Sequence, residues 1–139
     1  MGHRNIVLIV LDSVRKDFFE EYAERIQDQS DFSCHQCRAA SSWSLPSHAS
    51  MFSGPLPSMH GVHTHSGNFS PLSVDDTFLS DMDKFTKFCV SANAFASDSY
   101  EFDKYFDVFI EASETRRFSD GFDPGEITQK IGNDNPRRY

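Results

Sequence analysis

Several stretches of this chain hold residue types that could do chemistry at their spacing. Asp12 closes an apolar run, Asn5-Ile6-Val7-Leu8-Ile9-Val10-Leu11. Open α/β sheets place their ligands just outside the carboxyl ends of their strands, which is where this carboxylate falls. It reads equally as a metal ligand or as the N-cap of a following helix, since a buried carboxylate is costly unless paired or metal-bound. Further on, Trp43-Ser44-Leu45-Pro46-Ser47-His48-Ala49-Ser50-Met51-Phe52-Ser53-Gly54 predicts a short helix. Pro46 suits its first position and Gly54 the residue just beyond its end, which puts Ser44 immediately before the N-terminus. Unpaired N–H groups and the positive end of the helix dipole make such an end an anion site. A hydroxyl there can attack, or bond to, a phosphoryl or sulfuryl group. Helix physics alone favours the plainer reading, in which Ser44 is an N-cap and Ser47 and Ser50 are surface hydroxyls.

His60-Gly61-Val62-His63-Thr64-His65 is dense enough in imidazole to bind zinc, although solvated loop histidines are commoner. His60, beside a glycine, can also line an anion pocket as donor or general acid, and local pattern does not choose between these roles. Cys34-His35-Gln36-Cys37 has the spacing of half a zinc site, but Cys89 stands alone and no second half follows. Three cysteines do not suit a disulfide framework, and a redox pair belongs at a helix start after a strand, whereas this one sits in an extended-looking stretch before Trp43; the expectation is two half-buried thiols rather than a metal or redox site.

These residues need elements to position them. Ile6 to Leu11 is β-branched and apolar without alternation, the pattern of a parallel strand buried on both faces. Asp12-Ser13 can cap the helix that follows, in which Phe18, Tyr22 and Ile26 recur on one face. A strand, a tight turn and an amphipathic helix open an α/β fold. Residues 31–38 suit a second, weaker strand. Residues 41–71, rich in Ser, Pro, Gly and His, predict a loop with one short helix inside it. Asp75-Asp76 should cap a helical stretch through Phe78, Leu79, Met82 and Phe85. Phe88-Cys89-Val90 reads as a short buried strand, Phe102 to Ile110 as irregular or helical, and residues 111–139 as a polar, loosely ordered tail.

Composition sets outer bounds. A chain of 139 residues, 38% apolar and 14% aromatic, can fill one domain core. Thirteen Lys and Arg against 21 Asp and Glu give a net charge of −8, which argues against nucleic acid as the main partner. No apolar run approaches the length of a membrane span, and Ile6–Leu11 lacks the cleavage site of a signal peptide. The expectation is a cytoplasmic protein with no membrane partner.

Three blocks, taken in order, carry a family resemblance: residues 5–17, Ser44 to Gly54, and Pro57-Ser58-Met59-His60-Gly61-Val62. Together they resemble the N-terminal part of a sulfatase, of the alkaline-phosphatase-like superfamily. Val90-Ser91-Ala92-Asn93 and the stretch from Phe102-Asp103 to Phe109 are also similar to the next segments of prokaryotic members, so the likeness spans residues 5–110. It implies an α/β fold with a parallel or mixed sheet flanked by helices. It also implies hydrolysis of sulfuric esters, with a small anionic ester as substrate and a divalent metal, usually calcium.

Residue by residue, Asp12 matches the first metal ligand, and Ser44 matches the nucleophile position that also faces the metal. That position is occupied by a formylglycine in sulfatases and by a plain Ser or Thr in phosphatases of the superfamily. Pro46 and Ser47 match the motif that shapes the turn. Arg15 and His60 match positions near the pocket, Arg15 toward the substrate and His60 toward the chemistry. Ser13 stands where a second acidic ligand is common, and His48 stands where the signature typically has Arg. The His48 departure bears on formylglycine maturation, because the modifying enzymes read that signature, and His48 can itself donate to the nucleophile's oxygen.

Complete sulfatases are several times longer and draw further metal ligands from their second half. Asp120, Asp123 and Asn133-Asp134-Asn135 do not supply that context, and one carboxylate with a serine is too few oxygens for a hard cation. The chain is therefore expected to be a truncated N-terminal portion whose cut sheet promotes self-association. Two alternatives stand beside the sulfatase reading: a phosphoesterase or phosphotransferase using unmodified Ser44, and a non-catalytic, anion-binding remnant.

Overall fold

The computed structural model describes residues 5–112. The chain divides between Arg38 and Ala39 into two units, where the sequence suggested one continuous piece through residue 110. The polar tail expected from residue 111 lies outside the described residues except for Glu111 and Ala112. Those two belong to the folded part: Glu111 ends a strand and Ala112 is buried.

The first unit departs most from expectation. Asn5–Leu11 forms no strand, and Ile6 through Leu11 are all exposed. A strand is stabilised by a ladder, and an apolar run without a hydrogen-bonding neighbour has nothing to hold it in a sheet. Asp12 and Ser13 form a turn with Ser13 at φ 63°, left-handed backbone that is uncommon outside glycine. The helix then starts later than Asp12-Ser13 would place it. Helix α1 is Lys16–Tyr22, Arg15 is its N-cap, and no side chain caps it. Arg15 instead forks onto Asp17, Nε to Oδ1 at 3.1 Å and Nη2 to Oδ2 at 2.6 Å, and Lys16 pairs with Glu20 one turn on.

The expected single helix breaks at Ala23 (ψ 31°) and resumes as α2, Glu24–Gln27. Gln27 Nε2 donates back to the carbonyls of Phe19 and Glu20, closing the end of α1. The face carrying Phe18, Tyr22 and Ile26 is exposed, with Phe18 and Tyr22 stacked at 5.9 Å. Residues 31–38 hold no strand, only a turn at Cys34–Cys37.

The second unit contains the core. Helix α3, Ser44–Ser53, buries Leu45, His48, Ala49 and Phe52, a stripe at helical spacing. Gly54 ends it at φ 90°, with its N–H on the Ser50 carbonyl at 2.8 Å. A second, single-turn helix α4, Pro57–His60, was not foreseen inside the loop. Pro57 opens it and Gly61 ends it in the left-handed region. Val74–Asp76 and Phe78–Met82 are tight 3-10 turns rather than one α-helix. The cap of the first is Ser73, whose N–H and hydroxyl both donate to Asp76 Oδ2, so the aspartates lie within the turn and not before it.

Strands β1 (Phe88–Ser91) and β2 (Val108–Glu111) pair in parallel, Phe88 opposite Val108 and Ser91 opposite Glu111. They form a two-stranded sheet among the described residues. β1 occurs where the sequence puts it but is only half buried: Phe88 and Val90 face outward, while Cys89 and Ser91 point inward. β2 replaces the irregular or helical end expected for Phe102–Ile110, with a 3-10 turn at Asp103–Tyr105 before it.

Phe102 is the hub of the core. Its ring lies 4.9 Å from Phe69, 5.3 Å from Phe52 and 5.4 Å from Phe106, mostly edge to face. Tyr105 is buried beside it and donates its hydroxyl to the Leu72 carbonyl at 2.7 Å. Burial there raises the phenol's pKa. No helix among the described residues is long and apolar enough to cross a membrane.

Candidate functional site around helix α3

The loop entering α3 is fixed by serine hydroxyls. Ser47 Oγ donates to the Ser41 carbonyl at 2.8 Å and accepts the Ser41 N–H at 3.2 Å, while Ser41 Oγ accepts the Trp43 N–H at 3.2 Å. Ser47 is thus a fastener of the turn, not a loose surface hydroxyl. Trp43, the N-cap, offers no side-chain acceptor and packs edge-on against Phe95 at 5.8 Å. Ser44 is itself the first helical residue and Pro46 the third, so the helix starts two residues earlier than Pro46 at its first position implies. Pro46 still sits in the first turn, where its missing N–H has no carbonyl to meet. Ser44 is half-buried at the positive end of a ten-residue helix.

His48 follows Ser44 by one turn. Its Nδ1 is 2.7 Å from the Ser44 carbonyl, so Nδ1 carries the proton and donates, because a carbonyl can only accept. Side chains on a helix lean toward its N-terminus, which is why position 48 covers the turn of position 44. The ring is buried and rests edge-on against Phe102 at 6.1 Å. His48 therefore does hydrogen-bond to Ser44, but to its backbone carbonyl.

His60 is buried and engaged at both nitrogens. Nδ1 accepts the Val62 N–H at 3.1 Å, so the neutral ring carries its proton on Nε2, which lies 2.9 Å from Ser50 Oγ. Burial pushes its pKa below the ordinary value, and a nearby His63 acts in the same direction, while contacts with its own backbone and that of Pro46 oppose them. Ser50 and His60 resemble a nucleophile with its base, but the proton sits on the nitrogen facing the hydroxyl. Such a ring cannot take the serine's proton. The pair instead buckles the end of α4 to the second turn of α3. Ser50, expected at the surface, is buried by this contact.

His63 and His65 are exposed, with rings 5.7 Å apart, and His63 Nδ1 accepts the His65 N–H. Among the described residues no three His, Cys, Asp or Glu stand close enough to hold a cation. The zinc reading of the histidine run finds no support there. Nor do the described residues assemble the donor set that the calcium expectation requires. Asp12 and Arg15 belong to the first unit, whereas Ser44, His48 and His60 belong to the second. Cys34 and Cys37 are exposed rather than half-buried. Cys89 is half-buried, and its thiol is pushed up to about 11 by burial.

The Ser41–Ser47 fastening and the Phe102 hub had no sequence signal, since each joins positions that local periodicity does not relate. The sequence matches no family model, and neither a curated protein nor a solved structure matches the chain.

Proposed function

We propose that the chain is a cytoplasmic hydrolase of small sulfuric esters, of the sulfatase type, with Ser44 as nucleophile. The observation that carries this reading is the placement of Ser44 in the first turn of α3, within the three-block pattern of Asp12, Ser44 and His60. In this reaction Ser44 Oγ attacks sulfur, the S–O bond to the organic alcohol breaks, and the alcohol leaves with a proton. Water then releases sulfate from the serine. The helix end favours the anion at every stage. His48 fixes the turn through the Ser44 carbonyl, and His60 holds α4 against α3 from the far side. The family resemblance alone assigns Arg15 to the substrate's anionic group and Asp12 and Ser44 to a divalent ion, calcium being favoured, and no step above depends on that ion.

A second reading, phosphoester hydrolysis by unmodified serine, is favoured by one residue. His48 stands in the signature position that directs oxidation of Ser44 to formylglycine. Turnover of an aryl sulfate and an aryl phosphate by the wild type and by Ser44→Ala separates the readings, and the mass of the peptide holding Ser44 shows its oxidation state. Sulfate turnover that falls by a factor on the order of a thousand or more in Ser44→Ala is the expected result. Unchanged turnover overturns the assignment. No turnover of either ester, together with no thermal shift on adding calcium, favours a non-catalytic anion-binding role. The exposed run from Ile6 to Leu11 also supports self-association, so light scattering should detect species larger than a monomer; a monodisperse monomer contradicts this.

A further inference from the structure

We propose that Cys34 and Cys37 form a reversible dithiol–disulfide site, independent of any reaction at Ser44. Both thiols are free and exposed. The Cys37 N–H donates to the Cys34 carbonyl at 3.4 Å, closing a four-residue turn. Such a turn keeps its end Cα atoms within about 7 Å, which overlaps the separation that disulfides span.

The turn is held from outside rather than by its cysteines. Lys16 Nζ of α1 donates to the His35 carbonyl at 3.1 Å, and His35 Nδ1 lies 3.5 Å from Glu20 Oε1. Lys16 and Glu20 are themselves paired at 3.3 Å. The two sulfurs therefore belong to a backbone already anchored by its middle residue, which lowers the entropy lost on bridging them. Among the described residues no three His, Cys, Asp or Glu are placed to hold a metal ion, and the chemistry of the pair is that of two thiols. Cys89 does not compete: burial raises its thiol to about 11 and keeps the reactive thiolate scarce.

The oxidant is a small-molecule disulfide such as oxidised glutathione. One cysteine thiolate attacks a sulfur of it, the S–S bond breaks, and one glutathione leaves as thiol. The second cysteine thiolate then attacks the mixed disulfide, forming the Cys34–Cys37 bond and releasing the second glutathione. The protein gives up two electrons and two protons, and the oxidant is reduced to two thiols.

The test is to treat the full chain with oxidised glutathione, alkylate the remaining thiols and map the peptides by mass. The expected wild-type product is lighter by two hydrogens, bridged between Cys34 and Cys37, alkylated at Cys89, and restored by dithiothreitol. Cys34→Ser and Cys37→Ser should each retain one glutathione on the remaining cysteine. These positions are exposed, so neither change disturbs a packed region. A wild type that carries a separate glutathione on each cysteine, stays unreacted, or bridges to Cys89 or to a second chain overturns the proposal.

Discussion

Ile6 to Leu11 is the longest apolar run in the chain, and all of it is exposed. Phe102, with Glu101 and Asp103 on either side, is only 3% exposed and touches rings drawn from α3, β2 and the loops around them. The contrast between residues 5–38 and residues 39–112 teaches that local hydrophobicity does not decide burial. Burial requires partners, and the second unit has them because its aromatics converge from distant positions. In the first unit α1 and α2 stand on local interactions instead: the Arg15–Asp17 fork, the Lys16–Glu20 pair and the Gln27 side chain on the α1 carbonyls. The two ion pairs are exposed and the Gln27 contact only partly buried, and exposed pairs of that kind contribute little apiece.

The largest expected effect tests the core side of the contrast. Phe102→Ala should cost about 3–5 kcal/mol, read from urea unfolding, because it removes a ring packed on several others and leaves a cavity. Leu8→Ala removes a comparable apolar group from an exposed site and should stay within about 0.5 kcal/mol. Equal costs for the two would break the comparison by showing that the first unit has a core of its own.

Tyr105→Phe sharpens the same point with one atom. It deletes the hydroxyl that donates to the Leu72 carbonyl at 2.7 Å and leaves that carbonyl without its donor. The expected loss is about 1–3 kcal/mol. A neutral substitution would mean that the aromatic packing alone places Leu72.

His60 gives a pH-dependent test within the second unit. Its folded pKa lies below the ordinary 6.5, because burial disfavours the cation and Nδ1 already accepts an N–H from Val62. The neutral ring's contribution is therefore complete above 6.5 and is lost as the pH falls from there through the lower folded pKa. Asp76, lowered by hydrogen bonds from Ser73, acts in a separate window below 3.8. The urea midpoint of the wild type should thus decline as the pH falls below 6.5, and His60→Gln should flatten that decline. Parallel curves for the two proteins would remove His60 as the buckle between α3 and α4.

These tests also mark what was legible in the sequence. α3 was readable because Pro46 and Gly54 bracket a stripe at helical spacing, and β1 because Phe88-Cys89-Val90 stands between polar neighbours. The position of Ser44 at the helix start followed from that helix, to within two residues. The strand expected at Asn5–Leu11 failed for the same reason β2 was missed: a strand is a property of a pair, and neither sequence names its partner. The roles of His48 and His60 were open because a histidine's proton is placed by what each nitrogen meets. The Ser44 carbonyl, Ser50 and the Val62 N–H become neighbours only through α3, α4 and the turn at Gly61.

The smallest expected effect lies on α1. Phe18 stacks on Tyr22 at 5.9 Å and lies under the Arg15 guanidinium at 5.5 Å, yet it is half exposed. Phe18→Ala should cost less than about 0.5 kcal/mol, because the change falls at an exposed site. Hydrogen exchange resolves the local consequence: amides of Lys16–Tyr22 should exchange faster in Phe18→Ala, while those of Ser44–Ser53 keep their protection. Unchanged exchange of the α1 amides in this variant would show that the Phe18–Tyr22 stack does not hold the helix.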